Sequence, residues 1–187
     1  MDTALDWLQK TTLALHIRDS LLLFPLLESA HVIGLALVVG TVVIIDLRLL
    51  GLATTYRSFS RLGADTLPWT LGAFALTAVT GSLMFITNAI VYFHNTWFRA
   101  KVLLLVLAAV NAIGFELTAR RKIGEWDLSR AAPTSARVIA TVSLVIWVSI
   151  IVAGRMIGFT ATRATMTSPA PAAEPDFEDL LGLPPAK

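Results

Sequence analysis

The chain has 187 residues, of which 56% are hydrophobic and only 15% are charged, and its mean hydropathy is +0.72. About a quarter of the residues in a soluble domain are charged, so this composition excludes an ordinary water-soluble protein. A net charge of +2 does not indicate nucleic-acid binding. The absence of cysteine excludes disulfides, thiolate metal sites, iron–sulfur clusters and covalently attached c-type haem.

Residues 1–20 precede the first apolar segment. Asp2 and Asp6 stand where a signal peptide would carry positive charge, so we do not interpret this stretch as a cleaved signal. Leu8 and Leu15 fall on one face of a helix, which predicts an amphipathic helix lying at the membrane interface. The alternative is a helical extension docked on the rest of the protein.

Four apolar segments follow, and each is about as long as the roughly 20 residues that a helix needs to cross a bilayer. They cover residues 21–50, 67–93, 97–117 and 138–159. The sequence therefore predicts an all-α integral membrane four-helix bundle over residues 21–159. In the second segment, Gly81, Phe85, Asn88 and Tyr92 share one helical face, which we expect to pack inward.

The first segment contains ionisable residues. A charge at the centre of a membrane helix costs about 2.5–3.5 kcal/mol, so we expect Glu28 and His31 to face the protein interior, and His31 is the first functional candidate. Gly34 lies one turn later and leaves room for a neighbouring helix or a flat ligand. We interpret Asp46 and Arg48 as residues that anchor the helix end at the interface.

The C-terminal segment, residues 160–187, is rich in Ala, Pro and Thr and is expected to be flexible. It ends in DFEDLLGLPP, an acidic stretch with several large apolar residues. This pattern is typical of a short docking segment for membrane or periplasmic protein partners. A plain solubilising tail is the alternative.

The distribution of basic residues predicts the orientation. The first and third connections and their flanks are short and basic, with Arg48, Arg57, Arg61, Arg120, Arg121, Lys122, Arg130 and Arg137. The remaining cations are spread over three segments that include the long tail. The positive-inside rule therefore favours cytoplasmic connections and periplasmic termini in a bacterial inner membrane.

Histidines on the helices of a membrane bundle are the usual ligands for non-covalent haem b. His31 and His94 are the candidate ligands, either as a pair or with His31 as the single ligand. Lys101 and Arg155 are candidates for pairing with the haem propionates, and Glu28 accompanies His31. The resulting hypothesis is a haem b-binding membrane subunit that transfers electrons near the periplasmic face.

Other functions use the same residues differently. A copper or other metal transporter would use His31, His94, Glu28 and Met84 as ligands. A proton relay would use Glu28 and His31 as exchanging groups. A non-enzymatic structural or assembly subunit would dock other proteins through its tail and its N-terminal segment.

Two stretches carry a resemblance to known proteins. ESAHVIGLALVVGTVVIIDLRLLG, followed after the charge-free second segment by NTWFRAKVLLLVLAAVNA, resembles an uncharacterised family of small bacterial inner-membrane proteins. More distantly, the chain is similar to the copper-resistance CopD domain and to the HemJ-like membrane protoporphyrinogen oxidases.

The oxidase family has a histidine in its first span, a basic residue near the end of that helix, and an aromatic residue and a lysine at the start of the helix that follows a hairpin. In that family the histidine binds haem b and the lysine matters for activity. The matching positions here are His31, Arg48, Trp97 and Lys101. The resemblance therefore implies that His31 is the haem ligand and that Lys101 lines the site. Because Asp46 and Asn111 depart from the oxidase pattern, the resemblance implies the fold and the haem more than a particular reaction.

Overall fold

A computed structural model describes residues 2–53, 55–118, 120–129 and 132–166, with side chains as far as residue 160. Its helices are α1 (Asp2–Gln9), α2 (Thr12–Asp19), α3 (Leu23–Leu50), α4 (Phe59–Thr87), α5 (Ala89–His94), α6 (Thr96–Leu117), α7 (Ile123–Trp126) and α8 (Thr134–Met166). A 3₁₀ turn at Arg120–Lys122 precedes α7. The predicted docking segment in the C-terminal tail lies outside the described residues.

Four helices are long and apolar enough to cross a membrane. The candidate spans are α3, α4, α6 and α8 as far as Thr160. Large apolar side chains on all four are exposed, among them Ile33, Phe74, Leu103 and Val145. Such a continuous apolar exterior fits contact with lipid and not with water. The predicted all-α membrane bundle is confirmed, and the chain is a multi-pass membrane protein.

Local sequence signals account for the ends of two spans. Pro25 lies in the first turn of α3, where its missing N–H leaves no intrahelical hydrogen bond unmade. Gly51 closes α3 in the left-handed conformation, with φ of 76°, which glycine adopts without strain. The Asn95 side chain caps α6 by accepting hydrogen bonds from the Trp97 and Phe98 backbone N–H groups.

The second span differs from its predicted position. We expected a polar connection as far as Thr66 and a helix over residues 67–93, but α4 begins at Phe59 and ends at Thr87. The Ser58 side chain caps its first turn by accepting from the Arg61 N–H. At Asn88 the helix breaks, and α5 follows. Asn88 is therefore an exposed break point and not part of the inward face.

The N-terminal segment forms two short helices that pack against the bundle. Ala14 and Ile17 of α2 are buried, and α2 packs against α3 and α4 while α1 packs against α5. The Gln9 side chain accepts a hydrogen bond from the Ile90 N–H, which the break at Asn88 leaves without a helical partner. The segment is therefore docked on the bundle, and its position at the membrane interface stays a prediction.

The bundle is held together by three close helix pairs: α3 with α4, α3 with α8, and α6 with α8. At one end, called here the histidine end, lie the start of α3 together with α1, α2 and α5. At the other, called here the connection end, lie residues 51–53, 55–58, 118, 120–129 and 132–133. A buried cluster fills the connection end and consists of Leu49, Phe59, Trp126, Ala132, Ala136 and Ala140. The Phe59 ring lies 5.4 Å from Phe115 and 5.3 Å from Trp126, centroid to centroid.

Candidate functional site

His31 lies near the start of α3 with its imidazole half-buried against α4. Its Nδ1 is 3.1 Å from the Thr80 hydroxyl oxygen. The Thr80 hydroxyl donates its only hydrogen to the Leu76 carbonyl, at 2.7 Å. Thr80 can therefore only accept from His31, which places the proton of the neutral imidazole on Nδ1. The lone pair of the neutral ring then lies on Nε2, the atom with which such a histidine would bind a ligand.

A glycine lets the imidazole approach α4 this closely. A Cβ atom at Gly81 would lie 2.9 Å from His31 Cε1 and 3.3 Å from Nδ1. Gly34, in contrast, faces Thr77 of α4, since a Cβ atom there would lie 2.5 Å from the Thr77 hydroxyl oxygen. The sequence left open whether a neighbouring helix or a flat ligand packs beside Gly34, and the structure shows a neighbouring helix.

Lys101 approaches the same region from α6. A Cβ atom at Gly154 of α8 would lie 3.7 Å from Lys101 Nζ, so the lysine stem passes over this glycine. The positive charge of Lys101 is close enough to act electrostatically on His31. Among the described residues, no carboxylate lies within ion-pair distance of its ammonium group. The histidine end therefore holds a cation that has no carboxylate partner among the described residues and that lies within electrostatic range of His31.

Aromatic rings connect α4, α5 and α6 at this end. Phe85 stacks on Phe98 with 5.2 Å between centroids, and Tyr92 lies 6.5 Å from Phe85 and 6.2 Å from Phe98. Burial raises the pKa of Tyr92, and the negative charge of Glu28 raises it further. Glu28 is itself exposed, so the expectation that it faces the protein interior is wrong. Tyr92 therefore keeps its proton and can donate a hydrogen bond at neutral pH.

The other predicted site residues have different partners. His94 is exposed, and its Nε2 lies 3.3 Å from the Asp2 carboxylate of α1. The Arg155 guanidinium is exposed and lies over the Phe159 ring, 4.8 Å from its centroid. The structure thus brings together His31 and Lys101, and it places His94 and Arg155 in separate contacts. Whether any of these residues binds a cofactor stays a prediction.

At the connection end, the structure corrects the interpretation of Asp46 and Arg48 as interfacial anchors. Both side chains are buried, with 4% of Asp46 and 0% of Arg48 exposed. Arg48 donates from Nε to the Arg57 carbonyl, at 3.0 Å, and from Nη2 to the carbonyls of Asp127 and Ser129, at 3.0 and 3.1 Å. It therefore ties the first and third connections to the end of α3.

Asp46 occupies a different side of α3. Its carboxyl group lies beside the hydroxyl of Ser143 on α8. Two buried atoms, Asp46 Oδ2 and Arg48 Nη1, have no hydrogen-bond partner in the part of the chain that the structure describes. Residues two apart on a helix do not face each other, so these are two separate polar sites.

The described residues also bear on metal binding. Among them, no group of three or more His, Asp or Glu side chains is arranged to hold a metal ion. This finding gives no support to a transport path with several protein ligands for copper. It does not bear on haem iron, which the porphyrin itself binds in four positions and which needs only one or two axial ligands from the protein.

The fold and this site define a multi-pass helical membrane protein with a half-buried histidine at one end of the bundle and, within the described part of the chain, a lysine that forms no ion pair. The chain belongs to DUF6644, a family of unknown function, which matches residues 22–160. The match covers all four spans. No curated protein and no solved structure matches the chain.

Proposed function

We propose that the protein is a haem b-binding subunit of the bacterial inner membrane that transfers electrons near the periplasmic face. The observation that supports this proposal most is the His31–Thr80 hydrogen bond, which places the lone pair of the neutral imidazole on Nε2. Histidines that bind metals characteristically donate their other ring N–H to a fixed acceptor, because this sets the tautomer and raises the basicity of the ligand.

The side chains around His31 fit the chemistry of haem b. Nε2, which carries the lone pair in this tautomer, suits an axial ligand of iron. Lys101, a cation without an anionic partner among the described residues, suits a propionate carboxylate. The rings of Phe85 and Phe98 supply a flat apolar surface. Haem would supply one-electron redox chemistry, and the chain would hold it and keep water from its iron.

The orientation belongs to the same proposal. The connection end carries five exposed basic residues: Arg57, Arg61, Arg120, Arg121 and Lys122. The positive-inside rule places such an end in the cytoplasm. The histidine end and both termini then lie on the periplasmic side, so a haem held by His31 and Lys101 would be within reach of a periplasmic or membrane-bound electron-transfer partner.

The distant resemblance to CopD and to the HemJ-like oxidases, which rests on the sequence motifs alone, is also part of this proposal. It supports His31 as the haem ligand and Lys101 as a residue of the same site. It assigns no substrate, because the residues of the oxidase pattern are matched only at short motifs. Electron transfer is therefore the function proposed here, without a porphyrinogen substrate.

A haem titration of the purified protein tests the proposal. We expect wild type to give a Soret band shifted from that of haem in detergent alone, and we expect His31→Ala to give only the spectrum of unbound haem. Thr80→Val removes the acceptor of the Nδ1 proton and should weaken haem binding about 10–100-fold, the usual cost of losing such a partner. The measurement is the Soret absorbance as haem is added to the protein in detergent.

Thr87→Val is the matched control for Thr80→Val. Thr87 is also buried on α4, but its hydroxyl donates only to the Met84 carbonyl of its own helix. It should bind haem as wild type does. His94→Ala separates the two ligation schemes, because loss of the band in this variant would add His94 as a second ligand. A wild-type protein that binds no haem would contradict the proposal and would favour a structural subunit.

A further inference from the structure

A polar groove opens at the connection end, between the start of α4 and the connection that follows α7. It has a volume of about 560 Å³ and is lined by Tyr56, Arg57, Ser58, Arg61, Asp65 and Leu128. Because α3 ends and α4 begins here, the groove lies where the bilayer's headgroup region meets the protein. We propose that it binds the headgroup of an anionic phospholipid, with the phosphate held by Arg57 and Arg61.

The charges in the groove favour an anion. Arg57 and Asp65 form an exposed ion pair at 3.6 Å, which is a weak contact that a stronger ligand can replace. The Arg61 guanidinium has no carboxylate partner among the described residues. Two guanidinium groups and one carboxylate therefore leave a net positive charge in a groove whose size suits a small ligand.

A third guanidinium lies behind the groove. Arg48 donates to the Arg57 carbonyl and to the carbonyls of Asp127 and Ser129, which flank Leu128. It is fully buried, its Nη1 has no hydrogen-bond partner, and no described carboxylate lies within ion-pair distance. Backbone carbonyls stabilise its charge without neutralising it. Because charges interact more strongly in a low-dielectric environment, Arg48 adds to the positive potential of the groove.

Large apolar side chains at the rim point to a lipid as the source of the anion. Tyr56 is 85% exposed and Leu128 is 81% exposed, and nearby Leu52 is 72% exposed. Tyrosine is enriched at membrane interfaces, where its ring lies at the level of the headgroups. A lipid would cover these side chains while its phosphate met the arginines, whereas a free phosphate ion would leave them in water.

Native mass spectrometry of the full-length protein in an uncharged detergent tests this site. We expect phosphatidylglycerol to bind more tightly than phosphatidylcholine with the same acyl chains. Arg57→Gln combined with Arg61→Gln should weaken phosphatidylglycerol binding about tenfold or more, since each basic residue near an anionic lipid contributes about 1 kcal/mol. Both side chains are exposed, so this variant should fold normally, which its elution from a sizing column would verify.

The control is Arg121→Gln combined with Lys122→Gln. It removes the same charge from the same end of the protein but outside the groove, and it should keep wild-type affinity for phosphatidylglycerol. Equal losses in the two double variants would show diffuse attraction and overturn the proposal. Equal binding of the two lipids to wild type would also overturn it. Displacement of phosphatidylglycerol by millimolar inorganic phosphate would assign the groove to a soluble anion instead.

Discussion

Arg48→Met should destabilise the protein by about 3–5 kcal/mol, the range observed when one partner of a buried charged contact is removed. Arg48 is fully buried and donates three hydrogen bonds to carbonyls of two connections. Methionine fills a similar volume but leaves those carbonyls without donors, and each buried unsatisfied group costs about 1–3 kcal/mol. The measurement is the unfolding midpoint of the purified protein during titration with a denaturing detergent.

Two further variants identify the cause of this loss. Arg48→Lys keeps the positive charge but not the planar fork that reaches both connections, so it should recover only a small part of the stability. Arg121→Met removes an exposed arginine at the same end and should remain within about 0.5 kcal/mol of wild type. An Arg48→Met protein as stable as Arg121→Met would show that Arg48 does not hold the connections together.

Gly34→Ala should destabilise the protein by about 1–3 kcal/mol, the usual cost of overpacking a well-packed contact. The added Cβ would lie 2.5 Å from the Thr77 hydroxyl oxygen and 3.3 Å from the Ala73 carbonyl oxygen. The Thr77 hydroxyl is held by its own hydrogen bond to Ala73, at 2.8 Å, so α3 and α4 must separate. The unfolding midpoint measures the change.

Gly40→Ala is the matched control on the same helix. No atom lies within 4 Å of a Cβ built at Gly40, so alanine meets open space there. Replacing a helical glycine with alanine at such a position contributes about 0.5–1 kcal/mol of stability, because less backbone entropy is lost on folding. Equal effects of Gly34→Ala and Gly40→Ala would contradict the close α3–α4 contact. They would also weaken the case for the His31–Thr80 hydrogen bond one turn away.

Composition and local signals were sufficient to predict the four spans but not the length of the second. Arg61 and Asp65 make residues 52–66 polar, which predicts a connection when apolar length is the criterion. The structure shows that α4 continues beyond the apolar stretch, with Ser58 as its cap. A membrane helix can extend into the headgroup layer, where charged side chains carry no penalty, so hydropathy alone does not mark its end.

The break at Asn88 was also beyond prediction. The apolar pattern runs through it as far as Phe93, and no glycine or proline marks it. The Ile90 N–H that the break frees is satisfied by Gln9 of α1, which is far away in the sequence. Contacts of this kind become visible only when the chain is folded, because neither residue carries a local signal for the other.

The candidate site was also only partly predictable from the sequence. His31 could be identified from sequence because an ionisable residue in an apolar helix is unusual. Its partner Thr80 could not, since α4 contains several threonines and nothing distinguishes this one. Arg48 was assigned to the interface because it lies at the end of an apolar segment. Its burial could not be predicted, because its partners are backbone carbonyls, which every residue carries and which no sequence pattern reveals.

Chemical rescue of His31→Gly by free imidazole tests the proposed role of His31 most directly. The measurement is the visible spectrum of the variant with haem, recorded with and without added imidazole. Without imidazole we expect the spectrum of unbound haem, and with it we expect a wild-type band that stays with the protein on a sizing column, because the small molecule can occupy the space of the missing side chain and supply the same nitrogen to iron. A His31→Gly protein that keeps the wild-type band without imidazole would contradict His31 as the haem ligand.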